Sequence, residues 1–211
     1  MRSRAEIKAL ARDNFSANYW PCVLVSLLVP LFLAACSSIT MGIASILLAG
    51  PIAVGMNHFF VQVFQGKGSF VNVGTPFSEA FTGFGRKLGG YWWMQLFLFL
   101  WSLLFVIPAI IKTYGYSMTM YILSDCPNVR AKDALKLSMR IMMGHKWELF
   151  VFQLSFIGWF ILNSFTFGLL GLFYVVPYYQ TAMAGFYLEV REDALRRGVI
   201  TLAQLEGMPL V

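Results

Sequence analysis

Apolar residues in this chain come in long unbroken runs rather than in the alternation of a strand or the single stripe of a soluble helix. From Asn14 to Gly66, 53 residues pass without an Asp, Glu, Lys or Arg. Leu88 to Ile111 gives 24 more and Thr113 to Ser124 another 12, parted only by Lys112. Leu149 to Leu188 adds 40. A membrane-spanning helix needs about 20 residues. The first run therefore predicts two spans with a break around Thr40–Gly42, and the last predicts two short spans broken around Ser164–Gly168. The middle stretch reads either as one span plus a stub or as two short spans parted at Pro108.

The basic residues decide between these counts. They fall in four clusters: Arg2, Arg4, Lys8 and Arg12; Lys67, Arg86 and Lys87; Arg130, Lys132, Lys136, Arg140 and Lys146; Arg191, Arg196 and Arg197. If every run between clusters crosses twice, all of these lie on the cytoplasmic side and Lys112 alone falls outside, as the positive-inside rule prefers. The expectation is an all-α polytopic membrane helix bundle of about six transmembrane helices with both termini cytoplasmic. The spans are placed at about Tyr19–Ser38, Ile43–Phe64, Gly90–Ile107, Ala109–Asp125, Leu149–Phe165 and Gly168–Leu188. The 211 residues form a single integral membrane domain. In order they are an N-terminal amphipathic helix (1–18), spans 1–2 (19–65), a cytoplasmic loop (66–89), spans 3–4 (90–125), a cytoplasmic amphipathic helix (126–148), spans 5–6 (149–188) and a cytoplasmic tail (189–211). The basic start before an apolar stretch resembles a signal peptide, but the stretch is too long for an h-region and is read as a retained first span.

Three amphipathic segments predict helices lying in the membrane interface. In Arg4–Asn18, Ser3 with Glu6 makes a capping box, and Ile7, Leu10, Ala11 and Phe15 share one side. In Pro76–Phe84, Thr75 is the expected N-cap, and Phe77, Phe81 and Phe84 line one face. In Val129–Gly144, an apolar arc through Leu135, Leu137 and Ile141 opposes Lys132, Lys136 and Arg140, candidates for contact with anionic inner-leaflet headgroups. Trp20, Trp92, Trp93 and Trp147 sit near span ends, where interfacial aromatics belong.

Composition narrows the classes further. Charged residues are 12% of the chain, against about 25% in ordinary soluble domains. That excludes a disordered chain, a disulfide scaffold and a plain cytosolic enzyme. The net charge of +6 fits the lipid bilayer and its anionic inner leaflet, not nucleic acid, because the basic residues flank apolar runs. Cys22, Cys36 and Cys126 show no metal spacing, and two histidines cannot build a three-histidine zinc site, so neither metal nor cofactor is expected. Nucleophile-elbow, zinc-protease, P-loop and dinucleotide motifs are absent from the sequence, and the chain is read as non-enzymatic.

Polar groups inside the spans are the remaining candidates for function. Lys112 is expected near the outer end of span four, snorkelling outward. Asn57 and His58 lie in span two. Tyr178 and Gln180 follow Pro177, which should kink span six. Were these five to line one cavity, they would mark a transport path. Gln153 and Asn163 are expected to hydrogen-bond between helices, and Asp125 to stop a helix.

Several stretches resemble a family of bacterial integral membrane proteins known as domain of unknown function 975. They are Arg4-Ala-Glu-Ile-Lys-Ala-Leu-Ala-Arg12 with Asn18-Tyr-Trp20, Ile107-Pro-Ala-Ile-Ile-Lys-Thr-Tyr-Gly-Tyr-Ser-Met118, and Tyr121-Ile-Leu-Ser-Asp-Cys-Pro-Asn128. They continue with Asp133-Ala-Leu-Lys-Leu-Ser138, Gly144-His-Lys-Trp-Glu-Leu-Phe150, Leu154-Ser-Phe-Ile-Gly-Trp159, and Pro177-Tyr178 before Phe186-Tyr187. Ala109 departs from the glycine usual in the family after the proline. The resemblance implies a multi-pass fold in the bacterial plasma membrane and names no substrate or catalytic residue. Three functions stay open: a non-catalytic component in envelope or lipid homeostasis, solute export or self-protection; a stand-alone transporter of small solutes or lipids; and a membrane-embedded enzyme.

Overall fold

A computed structural model describes residues 2–66, 72–104, 106–166 and 168–207. Lys67 of the second basic cluster and residues 208–211 of the expected tail lie outside them. The described residues are helical throughout their regular structure, with no strand among them.

Helix α1 (Arg4–Ala17) starts where the capping box places it. The Glu6 amide donates to the Ser3 hydroxyl, and the Ser3 amide donates to the Glu6 carboxylate at 2.7 Å. Its expected apolar side is real, with Ile7, Ala11 and Phe15 fully covered. That side meets protein, not acyl chains, because α1 packs against α11 and the end of α3. Asn14 reaches across to donate to the Phe64 carbonyl at 2.8 Å, closing one of the carbonyls a helix end leaves open.

Helices α2 (Tyr19–Ile39) and α3 (Ile43–Phe64) form the expected hairpin. The reversal falls on Met41 and Gly42, both at positive φ (52° and 90°). Helix α2 shows Trp20, Leu24, Leu28, Leu31, Phe32 and Ile39 outward and buries Cys22, Val25 and Val29. Helix α3 is the better covered of the two and runs through the core.

Helix α4 (Thr75–Phe81) departs from expectation in position, cap and face. Gly74 is the N-cap, with Thr75 already helical. The buried residues are Pro76 and Ala80, while Phe81 is exposed. Gly55 explains the choice: a Cβ there would stand 2.1 Å from the Pro76 carbonyl oxygen. With no side chain at Gly55 the two backbones come close, which selects the small residues of α4 for this contact and lays the helix along α3.

Helices α5 (Phe84–Leu104) and α6 (Val106–Tyr116) form the next pair, so Pro108 falls in the first turn of a helix, where its missing N–H is tolerated. Helix α7 (Thr119–Asp125) continues after a short interruption at Ser117 and Met118. Helix α8 (Ala131–Ile141) buries Ala134, Leu135, Leu137, Ser138 and Ile141, the apolar arc read from the sequence, against α5, α6 and α7. It too faces protein.

Helices α9 (Lys146–Leu154) and α10 (Ile157–Phe165) are nearly continuous, with a hitch at Ser155 and Phe156. After Gly168, at φ 84°, the chain passes through a π-helical turn, Gly171–Val175, into α11 (Val176–Arg196). Pro177 has no N–H to give the preceding turn, and a widened turn is one way to absorb that loss. The short α12 (Leu202–Leu205) closes the described chain.

Among the described residues, three helical stretches are long and apolar enough to cross a membrane: Tyr19–Ile39, Ile43–Phe64 and Lys146–Phe165. Their outer faces are bare. Trp147 is 71% exposed and Phe165 78%, with Leu154, Ile157, Ile161 and Leu162 between them also exposed. Water-soluble monomers rarely expose apolar patches of this extent, so the bare stripes on α2, α5 and α9–α10 mark membrane association.

Candidate functional site

Charged side chains tie the helices together at several separate points. Arg86, at the start of α5, donates from its two terminal nitrogens to the carbonyls of Leu123 (2.8 Å), Cys126 (3.1 Å) and Val129 (3.0 Å). It caps the open end of α7 as the planar fork of an arginine can and a lysine cannot. Asp125 accepts from Arg191 and, at 3.0 Å, from the Tyr187 hydroxyl. The expected turn residue therefore also anchors α7 to α11. Arg2 lies against Glu189, its amide 2.8 Å from the carboxylate. His145 bridges Glu148 (2.8 Å) and Asp193 (3.0 Å), and Arg197 also engages Asp193. Although burial disfavours its charge, the Asp193 carboxyl sits below its ordinary pKa because His145 and Arg197 favour the ionised form. Arg2 of the first basic cluster thus meets α11, whose Arg191 and Arg197 belong to the fourth, and Arg86 of the second caps α7.

Lys87 is the most enclosed cation of the described residues, 2% exposed, and pairs with Glu79 of α4 at 3.4 Å. Burial pulls its pKa below the ordinary lysine value, and the Glu79 carboxylate opposes that shift.

The five polar residues proposed as a path do not assemble. His58 directs Nδ1 to the Ser124 carbonyl (3.3 Å) and Nε2 to Gln62 (2.7 Å). These partners suit a neutral ring donating from Nδ1 and accepting at Nε2, tying α3 to α7. Tyr178 donates to the Lys8 carbonyl of α1 at 3.3 Å. Asn57 and Gln180 are half-buried elsewhere on α3 and α11. Lys112 turns toward α8, not outward: its Nζ is 3.7 Å from Met139 Sδ and 5.0 Å from the Trp101 ring. None of the five lines a cavity described for this structure. Gln153 does make the interhelical bond expected of it, donating to Tyr179 at 3.1 Å, and Asn163 accepts from the Gly171 amide.

What the structure does assemble is a basic, aromatic-walled cavity between α5 and α8. Its volume is about 710 Å³. Arg130, Lys132 and Lys136 stand at its rim, and Trp93, Phe97 and Met139 form apolar wall. Lys132 Nζ rests over the Trp93 ring at 4.8 Å. Two of the three basic residues proposed for headgroup contact, Lys132 and Lys136, belong to this cavity. Arg140 does not line it, and Arg130 takes the third place. The sequence signal for Arg130 was its position at the start of α8, which the helical spacing alone ranked below Arg140. Among the described residues, no three His, Cys, Asp or Glu side chains gather as a metal site would require.

The fold and this rim define an all-α protein with three helices suited to a membrane and a basic cavity beside them. The family model described as a protein of unknown function (DUF975) matches residues 90–194. Those residues take in the region that builds the cavity, and over them the chain is similar to that family. No curated protein and no solved structure matches the chain.

Proposed function

We propose that this is a non-enzymatic, multi-pass protein of the bacterial plasma membrane that serves envelope or lipid homeostasis from its cytoplasmic side. The observation that carries this reading is the pairing of Arg2 of α1 with Glu189 of α11, on the same half of α11 that pairs Arg191 with Asp125 and Asp193 with His145 and Arg197. It supports an even number of crossings, because α1 and the charged half of α11 share one side. Six spans satisfy this and leave the basic clusters where the positive-inside rule wants them. The scatter of Lys112, Asn57, His58, Tyr178 and Gln180 weighs against a transport path through the bundle.

Single-cysteine labelling in a variant lacking Cys22, Cys36 and Cys126 tests the topology. Met41→Cys, at the exposed tip of the α2–α3 hairpin, is expected to react with an impermeant maleimide in intact cells. Lys136→Cys and Arg196→Cys are expected to react only after the membrane is opened. Reaction from outside at either of the last two would overturn the six-span reading.

A further inference from the structure

We infer that the cavity between α5 and α8 holds one anionic glycerophospholipid of the inner leaflet, with its phosphate between Lys132 and Lys136. The inference rests on the membrane reading above and goes further by naming a ligand. Charge is the first argument. Arg130 pairs with Asp133 at 3.0 Å, so these two cancel. Lys132 and Lys136, one turn apart on α8, have no carboxylate against them. Lys132 rests on an aromatic face, which holds an ammonium without neutralising it. Lys136 has no ion-pair or hydrogen-bond partner among the described residues. Two positive charges thus stand at one mouth, and a zwitterionic headgroup would bring its own cation against them.

Shape is the second argument. Behind the lysines the wall is apolar, with Trp93 and Phe97 packed edge to face at 5.5 Å. A water-soluble anion would leave that wall wet. The volume suits a small molecule, room for a headgroup and the start of a chain. Beyond Phe97, helix α5 continues with exposed Phe99, Leu100 and Leu103, a track along which acyl chains can leave the cavity for the bilayer.

Native mass spectrometry of the detergent-purified full chain, titrated with phosphatidylglycerol or with phosphatidylcholine of the same acyl chains, tests the inference. Phosphatidylglycerol is expected to be retained at least tenfold better. Lys132→Gln and Lys136→Gln should each weaken it about fivefold, the factor for one basic residue near an anionic headgroup, and Lys136→Arg should keep it. Ala131→Trp, which fills the cavity without changing charge, should remove the preference. Equal retention of the two lipids would overturn the site. So would full retention by Ala131→Trp, which would reveal loose surface attraction, or displacement by millimolar glycerol phosphate, which would reveal a headgroup-only site. Extraction of membranes at alkaline pH separates the two readings. A chain that stays in the pellet yet binds both lipids equally loses only the site, whereas a chain that washes out loses the membrane reading and the site together.

Discussion

Alanine at position 55 is expected to be the most disruptive single methyl group that can be added to this protein. The new Cβ would lie 2.1 Å from the Pro76 carbonyl oxygen and 2.9 Å from its carbon. Both are backbone atoms and have no rotamer into which to retreat. Helix α4 would have to lift off α3, uncovering Pro76 and Ala80 and pulling Glu79 away from Lys87. Overpacking typically costs 1–3 kcal/mol, and a clash with backbone places Gly55→Ala at about 3 kcal/mol, the top of that range. Gly89 supplies the control. It lies on an exposed face of α5 with no neighbour within 4 Å of a built Cβ. There the same substitution should stabilise by about 0.5–1 kcal/mol, because alanine loses less backbone entropy in a helix. Denaturation of the detergent-solubilised variants gives both values. Equal stabilities for Gly55→Ala and Gly89→Ala would refute the close approach of α4 to α3.

Removing the Glu79 carboxylate should come next in effect, and it should exceed the effect of removing its partner. Lys87 is enclosed on all sides, while the Glu79 side chain is 32% exposed. Glu79→Ala leaves an ammonium that water does not reach. Lys87→Met leaves a carboxylate that water does reach and replaces the buried stem with a side chain of similar length. Breaking a buried pair costs 3–5 kcal/mol. The remaining backbone acceptor at Glu79, which also binds Lys87, puts Glu79→Ala near the lower end, about 3 kcal/mol. The double variant Lys87→Met with Glu79→Gln should recover most of the loss, since an apolar replacement for a buried pair is often neutral. The same denaturation experiment decides. A Lys87→Met variant less stable than Glu79→Ala would show that the ammonium is not the buried member.

Local pattern was enough to locate most helices. The bounds of α3, the turn at Met41 and Gly42, the Ser3–Glu6 box and the buried arcs of α1 and α8 all follow from residue spacing and capping chemistry. The spacing could not say what an apolar arc would face. Ile7, Ala11 and Phe15 suit an acyl chain as well as they suit α11, and only the tertiary arrangement chooses. Helix α4 shows the same limit more sharply. Its three phenylalanines outweigh Pro76 and Ala80 on any hydrophobic count, yet the deciding residue is Gly55, 21 positions earlier on another helix. The polar residues of the spans failed as a site for a related reason. Three of the five had a bland partner within reach: the Ser124 carbonyl for His58, the Lys8 carbonyl for Tyr178, the thioether of Met139 for Lys112. Arg86 was missed because its role depends on where α7 ends. The lysines of α8 were legible from their spacing, but the aromatic wall that makes them part of a cavity comes from α5.

The contact between Arg2 and Glu189 also has a meaning in time. The two residues are 187 positions apart, and at translation rates of about 5–20 residues per second the second emerges many seconds after the first. Through that interval α1 exists with its apolar side complete and its final partner not yet made. An amphipathic helix in that state has a ready resting place on a bilayer surface. On the six-span reading proposed above, the surface-lying helix that the sequence suggests and the docked helix of the finished fold would be successive addresses of one segment.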